Sequence, residues 1–338
     1  MLNITKLDYY YYNIRNLNNS SLNHIHLSMS FDKNYILLSS ISIASILNTS
    51  SIYTYIHFHL ILNNCSYFDI KTFPLINLKK INKNVEFIFY NGKQAEYDFG
   101  LLSKNESRGI GEFSRLLIPE IINNTNKVLI LDSADILALK DLSEIYYYEL
   151  NNNYFAFILD ILAGNFKQKV KIFSRNKFSM NGGVVLVNVD KFKEDNLYQK
   201  SFFAARAYEY FTCPYQEILL IISNFNFKYM PLNFNTPQFY NNDEISKKQM
   251  NNTKFMNLWK KYQKFSPFRY DNNEIINAAL NPIIVHLLGE QKPFLGGANK
   301  KFTIIWINYA KMIGLSKKLK KLYPKPFKMV EKIEKQKQ

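Results

Sequence analysis

Three short, unbroken apolar runs constrain this chain most: KVLIL at Lys127–Leu131, YFAFIL at Tyr154–Leu159 and GVVLVN at Gly183–Asn188. Runs of this length without a polar face mark strands buried on both sides, and such strands belong to sheets covered by helices on each face. Leu22–Ser30, Thr54–Leu62 (TYIHFHLIL) and Glu86–Tyr90 read as further strands, with Ile283–His286 a candidate for one more. Ile36–Leu47 has helical spacing, with Ile36, Ile43 and Leu47 on one face; Ser114–Ile122 is a helix that Pro119 breaks or kinks. Strands thus alternate with helices to about residue 230, which predicts an α/β fold with a largely parallel sheet. No repeat or linker interrupts it, so the expected organisation is one domain over residues 1–310 with a helical extension at 311–338.

Composition narrows the classes. Of 338 residues, 47% are hydrophobic and 16% aromatic, enough to bury a sizeable core and exclude global disorder. The two cysteines, Cys65 and Cys213, are far apart, which excludes a disulfide scaffold and a cysteine zinc site. Met1–Asn23 lacks the pattern of a signal peptide, and Tyr35–Leu47 is too short and serine-rich to span a bilayer, so the chain is expected to be cytoplasmic. The net charge is +16, and half of it lies in Lys311–Gln338, with ten lysines against two glutamates. There Met312, Leu315, Leu319 and Leu322 recur at helical spacing, giving an amphipathic helix with a lysine face. That helix either packs as a solvated terminus or contacts anionic lipid at a membrane surface, with Tyr323 and Phe327 as anchors. No nucleic-acid motif accompanies the charge, so no nucleic-acid partner is expected.

Ligands of parallel sheets bind beyond the carboxyl ends of the strands. There the sequence places Asp32, Asn34 and Tyr35 (FDKNY), Asp132 and Asp135 (LDSAD), and Asp160. Asn181 and Gly182 precede GVVLVN, and VHLLGEQKPF supplies His286, Gly289 and Lys292. Carboxylates at the end of a buried strand are costly unless paired. Two of them three residues apart, with an imidazole, suit a divalent ion: oxygen ligands favour Mg or Mn, and the histidine tilts the choice towards Mn. Lys292 offers a point charge for phosphate oxygens. Neither GxxxxGK[ST] nor GxGxxG is present. The competing reading of LDSAD is a turn in which Asp135 caps a helix.

In this order, FDKNY, RLLIPEIINNTNKVLILDSADILALKDLSEIY, MNGGVVLVN, PYQEILL and HLLGEQKP resemble glycosyltransferase family 8, which includes glycogenin and bacterial lipopolysaccharide galactosyl- and glucosyltransferases. The resemblance runs from about His24 to Phe294. It implies the GT-A fold, a mixed, mostly parallel sheet between helices, and retaining transfer of a hexose from UDP-glucose or UDP-galactose with Mn. The acceptor would be a hydroxyl on a glycan, glycolipid or protein. By the same resemblance Asp32, Asn34 and Tyr35 contact the uridine, with Tyr35 stacking on the base, while Gly289 and Lys292 bind the diphosphate. Asp135 and His286 become metal ligands, joined by Asp132. Arg115, Asp160, Asn181 and Gly182 hold the donor sugar, and Gln216 lies beneath the anomeric carbon.

The chain departs from the family pattern in three places. The DxD motif is DSAD, so Asp132 reaches the metal only through a bulge or turn, because residues three apart in an extended segment face opposite ways. Tyr215 replaces the aspartate of DQ, and Phe294 the tryptophan of KPW. These departures leave a second reading, a catalytically impaired nucleotide-sugar-binding protein or a UDP-sugar hydrolase of the same fold. A third, resting on the lysine tail alone, is a membrane-surface scaffold.

Overall fold

The computed structural model describes residues 10–11, 22–99, 110–160, 180–207, 214–238, 270–290 and 292–336. Cys213 and most of the Met1–Asn23 segment lie outside them. The strands are β1 (Tyr10–Tyr11), β2 (Asn23–Asp32), β3 (Thr54–Asn63), β4 (Val85–Asn91), β5 (Lys127–Leu131) and β6 (Ile136–Ala138). They continue with β7 (Phe155–Ile158), β8 (Asn181–Asn188), β9 (Phe227–Tyr229), β10 (Thr236–Pro237) and β11 (Ile284–His286).

One sheet has the order β1-β4-β3-β2-β5-β8-β7-β9. Strands β4, β3, β2, β5, β7 and β9 share a direction, which β1 and β8 oppose. The apolar runs behave as expected: Val128 to Leu131 and Val184 to Val187 are buried throughout. The antiparallel course of β8 has a consequence for chemistry. Its start, not its end, lies at the edge where β2 and β5 finish. Asn181 and Gly182, which the apolar run seemed to leave before the strand, are its first two residues.

A smaller sheet of order β10-β11-β6 lies beside the first. Its strands are two or three residues long, too short for any periodicity to announce them. Here β11 pairs antiparallel with β6, His286 opposite Ile136, and parallel with β10, His286 opposite Pro237.

Helix α1 (Ile36–Thr49) is buried from Ile36 to Leu47, so it is enclosed on all sides rather than along one face. Its serines make this tolerable by bonding backbone: Ser40 Oγ donates to the Ile36 carbonyl at 2.7 Å, and Ser45 Oγ accepts from the Ala138 amide of β6 at 2.9 Å. Where one helix was expected over Ser114–Ile122, a 3-10 helix (Ile110–Leu116) runs into a short α-helix (Leu117–Ile121), and Pro119 falls in its first turn, where no amide bond is lost.

The C-terminal region is not one continuous amphipathic helix. It forms helices at Lys300–Met312, Ser316–Leu322 and Pro324–Gln336, the first break occurring at Gly314 with φ of +73°. A left-handed residue after a helix end is where glycine costs least. The break splits the expected apolar face: Leu319 is buried, while Met312 and Leu322 are 49% and 54% exposed. Phe327 and Val330 are buried, and Phe327 meets Trp306 edge-on with ring centres 6.2 Å apart. Phe294 packs on Tyr323 at 5.8 Å, so these helices abut the turn that follows Lys292.

Candidate active site

The turn between β5 and β6 gathers both aspartates. Asp132 begins where β5 ends, its amide donating to the Gly183 carbonyl at 2.8 Å; Asp135 closes the turn, its carbonyl accepting from the Leu287 amide at 2.7 Å. That bond extends the β6–β11 ladder by one step and sets the histidine at the end of β11 against the turn. His286 Nε2 lies 3.1 Å from Asp132 Oδ2 and 3.9 Å from Asp135 Oδ2. One ligand atom from each of these three residues falls within 4.8 Å of the others. The donor set, two carboxylates and one imidazole, fits a divalent cation of the Mn or Mg class.

A chain of amides fixes the imidazole. Asn181 Oδ1 accepts from the Gly183 amide at 3.0 Å and from Asn235 Nδ2 at 2.8 Å. The amide of Asn235 is thereby oriented, and its Oδ1 faces His286 Nδ1 at 3.1 Å. Nδ1 is therefore the ring's donor, which leaves the lone pair of a neutral His286 on Nε2, towards the carboxylates. Asn235 was not foreseen. It lies in a loop before the two-residue strand β10, and its only sequence signal was an asparagine among 338 residues rich in them.

Cations surround the cluster. Arg115 Nη1 sits 2.5 Å from Asp132 Oδ1 and donates to the Gly182 carbonyl at 3.4 Å; Lys292 Nζ sits 2.7 Å from Asp135 Oδ2. Burial alone would raise the Asp132 carboxyl, but Arg115, then His286 and Lys292, hold it well below the usual carboxylate range. Burial pulls His286 and Lys292 down, yet Asp132 and Asp135 hold both above their ordinary values. Arg115 is likewise desolvated, and Asp132 more than compensates.

Two glycines make room. A Cβ on Gly183 would stand 2.1 Å from His286 Cε1 and 2.8 Å from Asp132 Oδ2. A Cβ on Gly182 would meet Gln216 Cγ and Tyr215 Cδ1, each at 3.0 Å. Gln216, on the helix Pro214–Ile222, has its Oε1 tied to the Gly182 amide at 2.8 Å.

The sequence profile of glycosyl transferase family 8 matches residues 26–296. This chain belongs to that family. Solved structures share its fold. The apo form of the WbbM bifunctional glycosyltransferase superposes with a TM-score of 0.66 at 19% identity, covering 91% of this chain and 53% of that one. The galactosyltransferase LgtC, in complex with donor and acceptor sugar analogues, gives 0.61 at 19% identity over 86% of this chain and 95% of that one. A curated Haemophilus influenzae protein named as a glycosyltransferase is 28% identical over 96 residues, 27% of this chain and 28% of its own length. The chain thus spans about half of WbbM and little more than a quarter of the Haemophilus protein. The fold is the GT-A fold of these glycosyltransferases.

In this family 8 member the remaining expected residues fall around the same edge. Asp32 and Tyr35 close a turn after β2: Asp32 Oδ1 accepts from the Asn34 amide at 2.7 Å, and its carbonyl accepts from the Tyr35 amide at 3.0 Å. Tyr35 is half-exposed, and its phenol is among the groups that act on Lys292. Gly289 takes φ of +61° in the turn between His286 and Lys292, with nothing within 4 Å of where a side chain would start. Asp160 follows β7 and is half-buried. Asn181 is buried, its carbonyl oxygen committed to Gly183 and Asn235, which gives it a part in aligning His286.

Proposed function

We propose that this protein is a retaining glycosyltransferase that moves a hexose from UDP-glucose or UDP-galactose to a hydroxyl of a glycan, glycolipid or protein, with Mn as its cation. The observation that carries this reading is the convergence of Asp132, Asp135 and His286 beside Lys292, at the sheet edge where nucleotides bind in α/β proteins. The DSAD spacing, which set the two aspartates on opposite faces of an extended strand, ceases to be an objection because the segment is a turn.

A divalent cation held by Asp132, Asp135 and His286 would supply positive charge to the diphosphate of the donor. Lys292, on the other side of Asp135, adds a donor to the phosphate oxygens as the leaving UDP accumulates charge. The left-handed, side-chain-free Gly289 leaves its backbone open to close approach by the same phosphates. Asp32 and Asn34 take the ribose and base end, with Tyr35 stacking on the uracil. Gln216 cannot swing freely while its oxygen holds the Gly182 amide, and it serves as a fixed dipole near the reacting carbon rather than a nucleophile. In a front-face displacement the sugar's C1–O bond breaks with its electron pair going to UDP. The acceptor oxygen bonds C1 from the same side, and its proton passes to the departing phosphate oxygen.

The decisive experiment measures UDP-hexose hydrolysis, and transfer to supplied acceptors, with Mn and after chelation. Turnover that requires Mn and rises with acceptor is the expected result; calorimetry showing no UDP binding with Mn present would remove the reading. The exposed lysines of the last two helices, Lys317, Lys318, Lys320, Lys321, Lys325, Lys328, Lys332 and Lys335, support contact with anionic membrane surfaces. No helix among the described residues is long and apolar enough to cross a membrane.

A further inference from the structure

Lys292 is anchored from behind. Its carbonyl accepts from the amides of Leu295 and Gly297 at 3.1 and 3.2 Å, and the Gly296 amide donates to the Pro293 carbonyl at 2.9 Å. These bonds tie residues 292–297 into one unit, a 3-10 turn with the lysine at its start. The unit rests on the C-terminal helices. Phe294, 8% exposed, lies against the Tyr323 ring with centres 5.8 Å apart. A Cβ on Gly296 would stand 3.0 Å from Lys325 Cβ. Where the family pattern has tryptophan this chain has the smaller Phe294, and a second ring comes from Tyr323.

Tyr323 is itself held at a junction. It ends the helix Ser316–Leu322, its amide donating to the Leu319 carbonyl at 2.7 Å, and Pro324 opens the next helix. A residue before proline is kept out of the helical region, and Tyr323 takes φ of −131° and ψ of 74°. Leu319 and Phe327, on either side of it, are buried. Burial, then the Tyr35 phenol, push the Tyr323 hydroxyl up, and the same phenol acts on Lys292. Tyr323 therefore borders the edge where Lys292 meets Asp135 at 2.7 Å, although it lies outside residues 26–296 that match the family.

We propose that Tyr323 is a positioning residue for donor binding: by packing on Phe294 it fixes the 292–297 turn, and with it the reach of Lys292 towards the diphosphate. This deepens the reading of a nucleotide-sugar transferase and rests on it. The ring makes the contact, so the hydroxyl is dispensable and Tyr323 need not touch the nucleotide. Without the ring the turn loses its backing, and the Lys292 ammonium is no longer presented to the phosphates in one place. The ligand atoms of Asp132, Asp135 and His286 are set by the β5–β6 turn and by β11 instead, so the same change leaves the cation site in place.

The test compares the full chain as wild type, Tyr323→Leu and Tyr323→Phe, each also carrying Lys292→Ala. Calorimetry measures UDP binding with Mn present, electron paramagnetic resonance measures Mn binding alone, and thermal unfolding reports stability. The expected result is UDP affinity lowered about tenfold in Tyr323→Leu, with Mn affinity within about threefold of wild type and Tyr323→Phe indistinguishable from it. Phe294→Leu, which removes the other ring of the pair, is expected to behave as Tyr323→Leu does. In the Lys292→Ala background the effect of Tyr323→Leu on UDP disappears, because the group it acts through is gone. A tyrosine that only stabilises the fold would lower the melting temperature and leave UDP affinity unchanged, and that result overturns the proposal. So does an equal loss of UDP binding with and without Lys292, or a loss in Tyr323→Phe as large as in Tyr323→Leu. A wild-type protein that binds no UDP overturns the transferase reading itself, which separates that failure from the others.

Discussion

Gly183 is where one missing side chain decides whether Asp132, Asp135 and His286 can come together. A β-carbon there would overlap the imidazole of His286 and crowd Asp132, and neither can retreat: the ring is held by Asn235 and the carboxylate by Arg115. Gly183 lies in an ordinary strand, so the constraint is space and not backbone freedom. Gly183→Ala is expected to cost about 1–3 kcal/mol from overpacking and to weaken Mn binding at least about tenfold, read by calorimetry or electron paramagnetic resonance. Unchanged Mn affinity would mean that the imidazole is not a ligand. This much was unreadable in MNGG itself, because two glycines in a row look like a turn. The contact that forbids a side chain comes from residues about fifty and one hundred positions away in the chain. Asp132, Asp135, His286 and Lys292, by contrast, were legible as residue types, since two carboxylates and an imidazole follow apolar runs and a lysine comes six residues after the imidazole.

At the level of elements, β2 and β3 carry four histidines that the alternation of both strands puts on one face. Their surroundings account for them within the sheet itself. His24 Nδ1 bonds His57 Nε2 at 2.9 Å, His26 Nδ1 bonds His59 Nε2 at 3.0 Å, and the His26 and His57 rings stack 4.3 Å apart. The ladder ends on Glu86 at 2.9 Å from His57 and on the Tyr90 hydroxyl at 2.8 Å from His59. Burial first, then the neighbouring imidazoles, lower His26 to about 3 and His59 well below its usual value. Because the folded state favours the neutral rings, this arrangement is undisturbed above the unfolded value near 6.5 and loses stability as pH falls from there towards 3. At pH 5 the cost is about 2 kcal/mol for His26 alone. Urea unfolding at pH 7 and pH 5 should show that loss in wild type, and less than half of it in His26→Gln/His59→Gln. An identical pH dependence in both proteins would exclude the ladder as its source. Elements this long were read easily from their pattern. The strands β6, β10 and β11, which align Asp135 and His286, were mostly not, because two or three residues show no period and their pairing depends on chain hundreds of ångströms of contour away.

For the molecule as a whole, the open question is whether the basic C-terminal region is an appendage or a part of the body. Its lysine face was plain in the sequence, and so in hindsight was the glycine at 314 that divides it. What the sequence could not supply is the surface on which the helices rest. Phe327 is buried against Trp306, and the Tyr323 ring covers Phe294 just after Lys292. A side chain on Gly296 would press on Lys325, another sign of close fit between this region and the turn beside the site. Phe327→Ala is therefore expected to cost about 3 kcal/mol of global stability in denaturant unfolding, as for other buried phenylalanines. A loss below about 1 kcal/mol would show that the last helix unfolds on its own. The exposed lysines of the last two helices thus lie opposite apolar side chains that rest against the turn following Lys292.

The pairing of β11 with β6 also sets a schedule. The carboxylates at Asp132 and Asp135 are made early in translation, but the imidazole and ammonium groups that share their pocket arrive only with His286 and Lys292. A nascent polypeptide stopped before that point has the two carboxylates without the imidazole and ammonium that neighbour them. The Asp132–Asp135–His286 cluster is thereby completed only when nearly all of residues 26–296 have been made.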